Sequence, residues 1–78
     1  MNEIDASLVA GAIRRMAPHT ITVEAIELHP QTHQLGVKCR YHGPTFQQDQ
    51  DLFLHGMQLW ITSRFAWSRL RKLLLKKA

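Results

Sequence analysis

Proline and glycine breakers at Pro18, at His29-Pro30 and at Gly43-Pro44 cut this 78-residue chain into four pieces. Proline lacks a backbone N–H and fixes φ, so neither a helix nor a central strand runs through it. Each piece must therefore hold its own element. The whole, residues 1–78, is the size of a single domain. A chain this short buries a modest share of its surface and is marginally stable unless something staples it. The one cysteine, Cys39, makes no internal disulfide. Oligomerisation or partner binding is then the usual source of further buried area, and a lone thiol fits a reducing, cytoplasmic compartment.

The first piece reads as a helix. Leu8, Val9, Ala12, Ile13 and Met16 recur at helical spacing and form one stripe. Asn2 is the expected cap, with Asp5 in the first turn, Arg14 and Arg15 suited to the far end, and Pro18 as the stop. Gly11 suggests a close helix contact.

The second and third pieces read as a β-hairpin, Thr20 to Leu28 and Leu35 to Tyr41, around a four-residue loop Pro30-Gln31-Thr32-His33. The second strand alternates, with Leu35, Val37, Cys39 and Tyr41 on one side. The first does not, because Ile21 and Val23 fall out of phase with Ile26 and Leu28. One extra residue near Glu24-Ala25 restores the phase, so a β-bulge is expected there. Thr22, Glu27, Lys38 and Arg40 then share the opposite face, with Glu24 near Lys38.

The fourth piece reads as a long helix from Asp49 or Asp51 to about Lys76. Leu52, Gly56, Leu59, Ser63, Ala66, Leu70 and Leu73 step by three and four, flanked by Trp60, Trp67 and Leu74. A second apolar face, Leu54, Met57, Ile61 and Phe65, makes its first half apolar nearly all round. Such a helix is central to a core or shared with another chain. The expected fold is α+β: a two-layer α-β-β-α arrangement with both helices on one face of an antiparallel hairpin. Thr45-Phe46-Gln47 is a candidate third strand, since a two-stranded sheet is marginal alone. Edge-strand pairing between two copies would extend the sheet, and with the doubly apolar helix it favours a homodimer.

Little of the chain suggests catalysis. His29, His33, Cys39 and His42 have superficially zinc-like spacing. In a hairpin, however, Cys39 lies roughly 13 Å or more from the turn, whereas zinc ligands sit about 2 Å from the metal. No metal or cofactor is expected. Cys39 falls on the inward face, which suits an inert core thiol better than a nucleophile. Asp49 and Asp51 are explained as caps, and Glu24 and Glu27 have basic strand neighbours. Glycine-rich phosphate loops and hydrolase motifs are lacking. The start, Met1-Asn2-Glu3-Ile4-Asp5, does not read as a signal peptide, and Leu52 to Trp67 is too short and too interrupted to span a bilayer.

Charge supplies the functional hint. Residues 1–51 hold four Lys/Arg against six Asp/Glu, whereas residues 52–78 hold Arg64, Arg69, Arg71, Lys72, Lys76 and Lys77 and no acid. A greasy segment with unopposed positive charge suits an anionic partner. Four readings fit: a solvated face over core leucines, a nucleic-acid backbone, an acidic protein surface, or an anionic membrane surface. No base-reading motif is present. The leading expectation is a non-enzymatic regulatory or inhibitory adaptor that binds another protein. Its contacts would be Arg64, Trp67, Arg69, Arg71, Lys72, Lys76 and Lys77, with Leu54, Met57, Trp60, Ile61 and Phe65 as an apolar partner or dimer face. Sequence-tolerant DNA or RNA binding by the same Arg/Lys cluster is the alternative.

Overall fold

A computed structural model describes residues 4–48 and 51–77. Helix α1 (Ala6–Met16) leads into strands β1 (Ile21–Leu28), β2 (Leu35–Tyr41), β3 (Phe46–Gln48), β4 (Asp51–Phe53) and β5 (Gln58–Ile61), and helix α2 (Arg64–Lys77) ends the chain. Strands β1, β2 and β5 form an antiparallel sheet in that order, while β3 and β4 pair in a separate two-stranded ribbon. The α+β class and the placement of both helices on one face agree with the sequence. Ile13 of α1 and Leu70 of α2 join the same buried cluster as Val37, Cys39, Leu59 and Ile61 of the sheet.

Asp5, not Asn2, begins α1. The Asp5 carboxylate accepts from the Leu8 N–H at 3.1 Å, which satisfies one of the open donors of the first turn. Asn2 lies outside the described residues. Ala17 closes the far end, its N–H donating to the Ile13 carbonyl before Pro18. The buried side is Ala6, Val9, Ala10 and Ile13, so the stripe is rotated from the expected one and Leu8 is 66% exposed. The small alanines let the helix lie close to the sheet, which a Leu8-centred face would not. Gly11 marks no close helix contact, because a side chain there would meet only the helix's own Arg15.

The hairpin follows its sequence closely. Ile21 pairs with Tyr41 and Leu28 with Leu35, and the register shifts between Val23 and Ala25, where the bulge is expected. The loop spans residues 30–33 inside a His29–Gln34 bond, with His33 at φ 60°. The His29 ring takes part too: Nδ1 accepts from the N–H groups of Gln31 and Thr32. A side-chain acceptor thus replaces the Asn-Gly turn chemistry that the loop lacks.

The long helix is where sequence and structure part. Residues 51–63 do not continue α2. The chain turns at Leu54 to Met57, with the Met57 N–H bonded to the Leu54 carbonyl and Gly56 at φ 81°. That positive angle at the third position of the turn is what a type II turn requires and what glycine supplies. The chain then runs as β5 beside β2, pairing Val37 with Ile61 and Arg40 with Gln58. The third strand of the main sheet is therefore β5. The expected segment Thr45-Phe46-Gln47 is partly strand, but within the separate ribbon. Ser63 starts α2: its Oγ accepts from the Ala66 N–H at 3.1 Å and its carbonyl from Trp67. Asp51 does not cap this helix. Asp49 is outside the described residues, and Asp51 belongs to β4.

Among the described residues the buried core is built from aliphatic side chains with Cys39 and Tyr41, and Ile13, Val37, Cys39 and Tyr41 are its best-covered large side chains. Fully burying a side chain of this kind contributes about 1.5–3 kcal/mol. Gly36 lets β5 approach: a Cβ there would lie 2.6 Å from Thr62 Cγ2 and 2.8 Å from the Ile61 carbonyl oxygen. The backbone oxygen has no rotamer by which to yield. Gly36→Ala should cost about 1–3 kcal/mol in urea unfolding; an unchanged midpoint would mean that β5 does not run this close. Ser63→Ala should cost about 1 kcal/mol and lower helicity by circular dichroism, since it removes the α2 cap.

Candidate functional site

The strongest charged feature is α2. Its fourteen residues carry six cations and no acid. The side formed by Ala66, Trp67, Leu70, Leu73 and Leu74 turns inward, with Leu70 and Leu73 buried. Opposite it, Phe65, Arg69 and Lys72 follow one another at helical spacing and are all exposed, Phe65 by 68%. Leu75, on the flank, is 62% exposed.

Two arginines lie over aromatic rings one turn earlier. The Arg69 guanidinium is 5.6 Å from the Phe65 ring centre, and that of Arg71 is 6.0 Å from the Trp67 ring. Such contacts orient the guanidinium and shield part of the ring, worth about 0.5–1 kcal/mol at exposed sites. Among the described residues, Arg64, Arg71 and Lys72 make no ion pair with a carboxylate. The surface is thus a rigid helical array of cations with an apolar side chain set into it. Trp67 is a poorer anchor than the sequence suggests, because it packs against the core. Lys76 and Lys77 belong to α2 by backbone.

The predicted apolar face does not assemble, because its residues lie on different elements. Leu54 is in the turn and half exposed; Met57 packs against the core; Ile61 is buried in β5; Phe65 stands on α2. Trp60 points to the other side of β5, where it pairs with Lys38. Adjacent strand residues face opposite sides, so Trp60 and Ile61 cannot share a surface.

The outer face of the sheet is a polar network. Glu24, at the bulge, accepts from Arg40 Nε at 3.3 Å and from the Gln58 amide at 3.4 Å. Arg40 also donates to the Gly56 carbonyl at 2.6 Å, so one guanidinium links β1, β2 and the turn before β5. The hydrogen bond from Arg40 holds the Glu24 carboxyl below its usual range. Glu27 pairs with Lys38 at 3.9 Å, whereas Glu24, expected near Lys38, is taken by Arg40. Trp60 lies between the Lys38 ammonium, 5.9 Å from its ring, and His29, which meets it edge-on at 4.8 Å. His42 bonds Thr22 at 2.8 Å. Sequence reasoning missed the Trp60–His29 contact, since it depends on a strand at residues 58–61.

Among the described residues, no group of three or more His, Cys, Asp or Glu side chains is placed to hold a metal ion. Cys39 is wholly buried, donating weakly to the Val37 carbonyl. Burial pushes its thiol up to about 11, and the Glu24 carboxylate adds to the shift. Burial also raises Tyr41, whose hydroxyl donates to the Pro44 carbonyl at 2.7 Å. No helix is long and apolar enough to cross a membrane, among the described residues.

The Cys39 shift gives a signed expectation. The unfolded thiol ionises near 9.0 and the folded one near 11, so its stabilising effect is intact below pH 9 and is lost between those values. The slope from one such group is at most about 1.4 kcal/mol per pH unit. Cys39→Ala should flatten the alkaline decline in urea stability by that order, and an identical decline in both proteins would refute the assignment. Comparison with protein-family models, with curated proteins and with solved structures finds no match.

Proposed function

We propose that this protein is a non-enzymatic regulatory or inhibitory adaptor, acting in the cytoplasm as a homodimer, that docks an acidic protein surface on α2. One observation carries the reading. Phe65 stands two-thirds exposed inside an acid-free helix face, with Arg69 against its ring. Neutralising phosphates needs cations alone. An exposed aromatic ring among arginines suits a partner that offers both carboxylates and an apolar hollow, where Arg and aromatic side chains most often anchor binding. The buried lone thiol fits a reducing compartment. The outer-face glutamates are engaged by Arg40 and Lys38, which leaves them as structural charges rather than a paired acid and base.

The test uses defined probes: an amphipathic peptide rich in Glu and Leu, a random DNA duplex, single-stranded RNA and anionic vesicles. The peptide should bind, and Phe65→Ala should weaken it about tenfold, as a single anchor of about 1.4 kcal/mol does. Arg69→Ala should weaken it similarly. Phe65→Ala is exposed enough to leave the fold intact, which circular dichroism checks. If instead DNA or RNA binds with an affinity that falls steeply with salt and ignores Phe65→Ala, the cluster is a phosphate-binding surface and the adaptor reading fails.

A further inference from the structure

We infer that two copies of this chain join through the free edge of β1, along residues 25–28, into one six-stranded sheet. This deepens the dimeric part of the preceding reading and is independent of what α2 binds. Strand β1 is an edge of the main sheet. The His29 N–H donates inward to the Gln34 carbonyl, so the alternate residue Glu27 also directs its backbone groups toward β2. Ile26 and Leu28 therefore aim their N–H and C=O groups at the open side. The same two residues carry the uncovered part of the inner face: Ile26 is 41% exposed, Leu28 59%, and Leu35, paired with Leu28, is 50% exposed.

The reason is geometric. Strand β1 meets α1 at Ile21, which is buried with Ile13, but its far end emerges beyond that cover. A depression of about 320 Å³ borders this corner, lined by Ile4, His33, Gln34, Leu35 and Thr62. Unpaired strand edge and exposed apolar side chains coincide, and an added strand would cover both at once.

Charge selects a second copy as that strand. The protein carries a net +4, and α2 against α2 would set cations against cations. Strand β1 has two glutamates and no Lys or Arg. Both glutamates are countered from β2, Glu24 by Arg40 and Glu27 by Lys38. This edge is thus where two positively charged copies meet without repulsion from their basic helices. An antiparallel β1 pair is also self-complementary: each copy offers the same donors and acceptors across a two-fold axis, and Ile26 and Leu28 of both copies become neighbours. The bulge at Glu24 bends the strand and confines the pairing to the segment beyond it.

Sedimentation across a concentration series should show a particle of twice 9.0 kDa. Leu28→Lys and Ile26→Pro should each yield a folded monomer, or raise the dissociation constant at least about tenfold. The proline removes only an outward-facing N–H. Amide exchange at Ile26 and Leu28 should be roughly a hundredfold slower in the dimer than in the Leu28→Lys monomer. Should Ile26→Pro fail to fold, Leu28→Lys and the exchange rates still decide. A wild-type particle that stays at 9.0 kDa overturns both the dimer and its interface. A dimer untouched by Leu28→Lys, with both amides exchanging fast, overturns the interface alone. Neither result bears on peptide binding by α2, which the Phe65→Ala comparison reads separately.

Discussion

One extra residue in β1 sets the geometry of everything around it. Without the register shift between Val23 and Ala25, either Ile21 and Val23 or Ile26 and Leu28 would leave the side facing the helices. With it, all four share the face of Val37, Cys39 and Tyr41, and Ile21 and Val23 pack into the core that α1 covers. The same shift brings Glu24 to the outer face, where Arg40 reaches it and then extends to the Gly56 carbonyl. The bulge is therefore coupled through one guanidinium to the turn that sends the chain back as β5. This pairing is exposed, so its role is geometric more than energetic; surface ion pairs contribute little by themselves. The stability resides in the inner face that the bulge keeps in phase.

The hairpin was legible because its signals were local and redundant. Alternation in β2 was clean, the phase error in β1 had one simple repair, and the loop length followed from the paired ends. The segment from 51 to 63 was legible only in part. Its apolar residues fall at helical spacing, but Gln58-Leu59-Trp60-Ile61 is too short for a period of two to stand out against a period near 3.6. The deciding signals were single residues. Gly56 falls at helical spacing, yet its positive φ makes it a turn. Ser63 falls on the same apolar stripe, yet its hydroxyl caps α2. Both residue types favour boundaries over helix interiors, and here that local preference outweighs the helical spacing.

Correcting α2 relocates the chain's unsatisfied surface. A helix beginning near residue 50 would be greasy around its girth and would need a partner along much of its length. The observed α2 has one buried side, Leu70 and Leu73, and one basic side. Leu54, Met57, Trp60 and Ile61 belong instead to a turn and a strand, and Ile61 helps close the core. A third strand also relieves the hairpin of standing as a marginal two-stranded sheet. Three of the large apolar side chains left exposed, Ile26, Leu28 and Leu35, gather at one corner of the sheet, whereas Leu8, Leu54, Phe65 and Leu75 stand on other elements.

The charge partition along the sequence now has a spatial meaning. The acids that balance Arg40 and Lys38 are spent within the sheet, each on a neighbouring strand. No such balance exists within α2, where Ser63 rather than an acid occupies the cap and the first turn begins with Arg64. A positive residue at the positive end of a helix dipole is locally unfavourable, and no Asp or Glu in the cap or first turn relieves it. That departure from helix chemistry opposes local stability and leaves α2 positive from its first turn onward. Phe65, the next residue after Arg64, is exposed beside it. The sheet thus pairs opposite charges across neighbouring strands, whereas α2 sets its six cations along one helix with no acid among them.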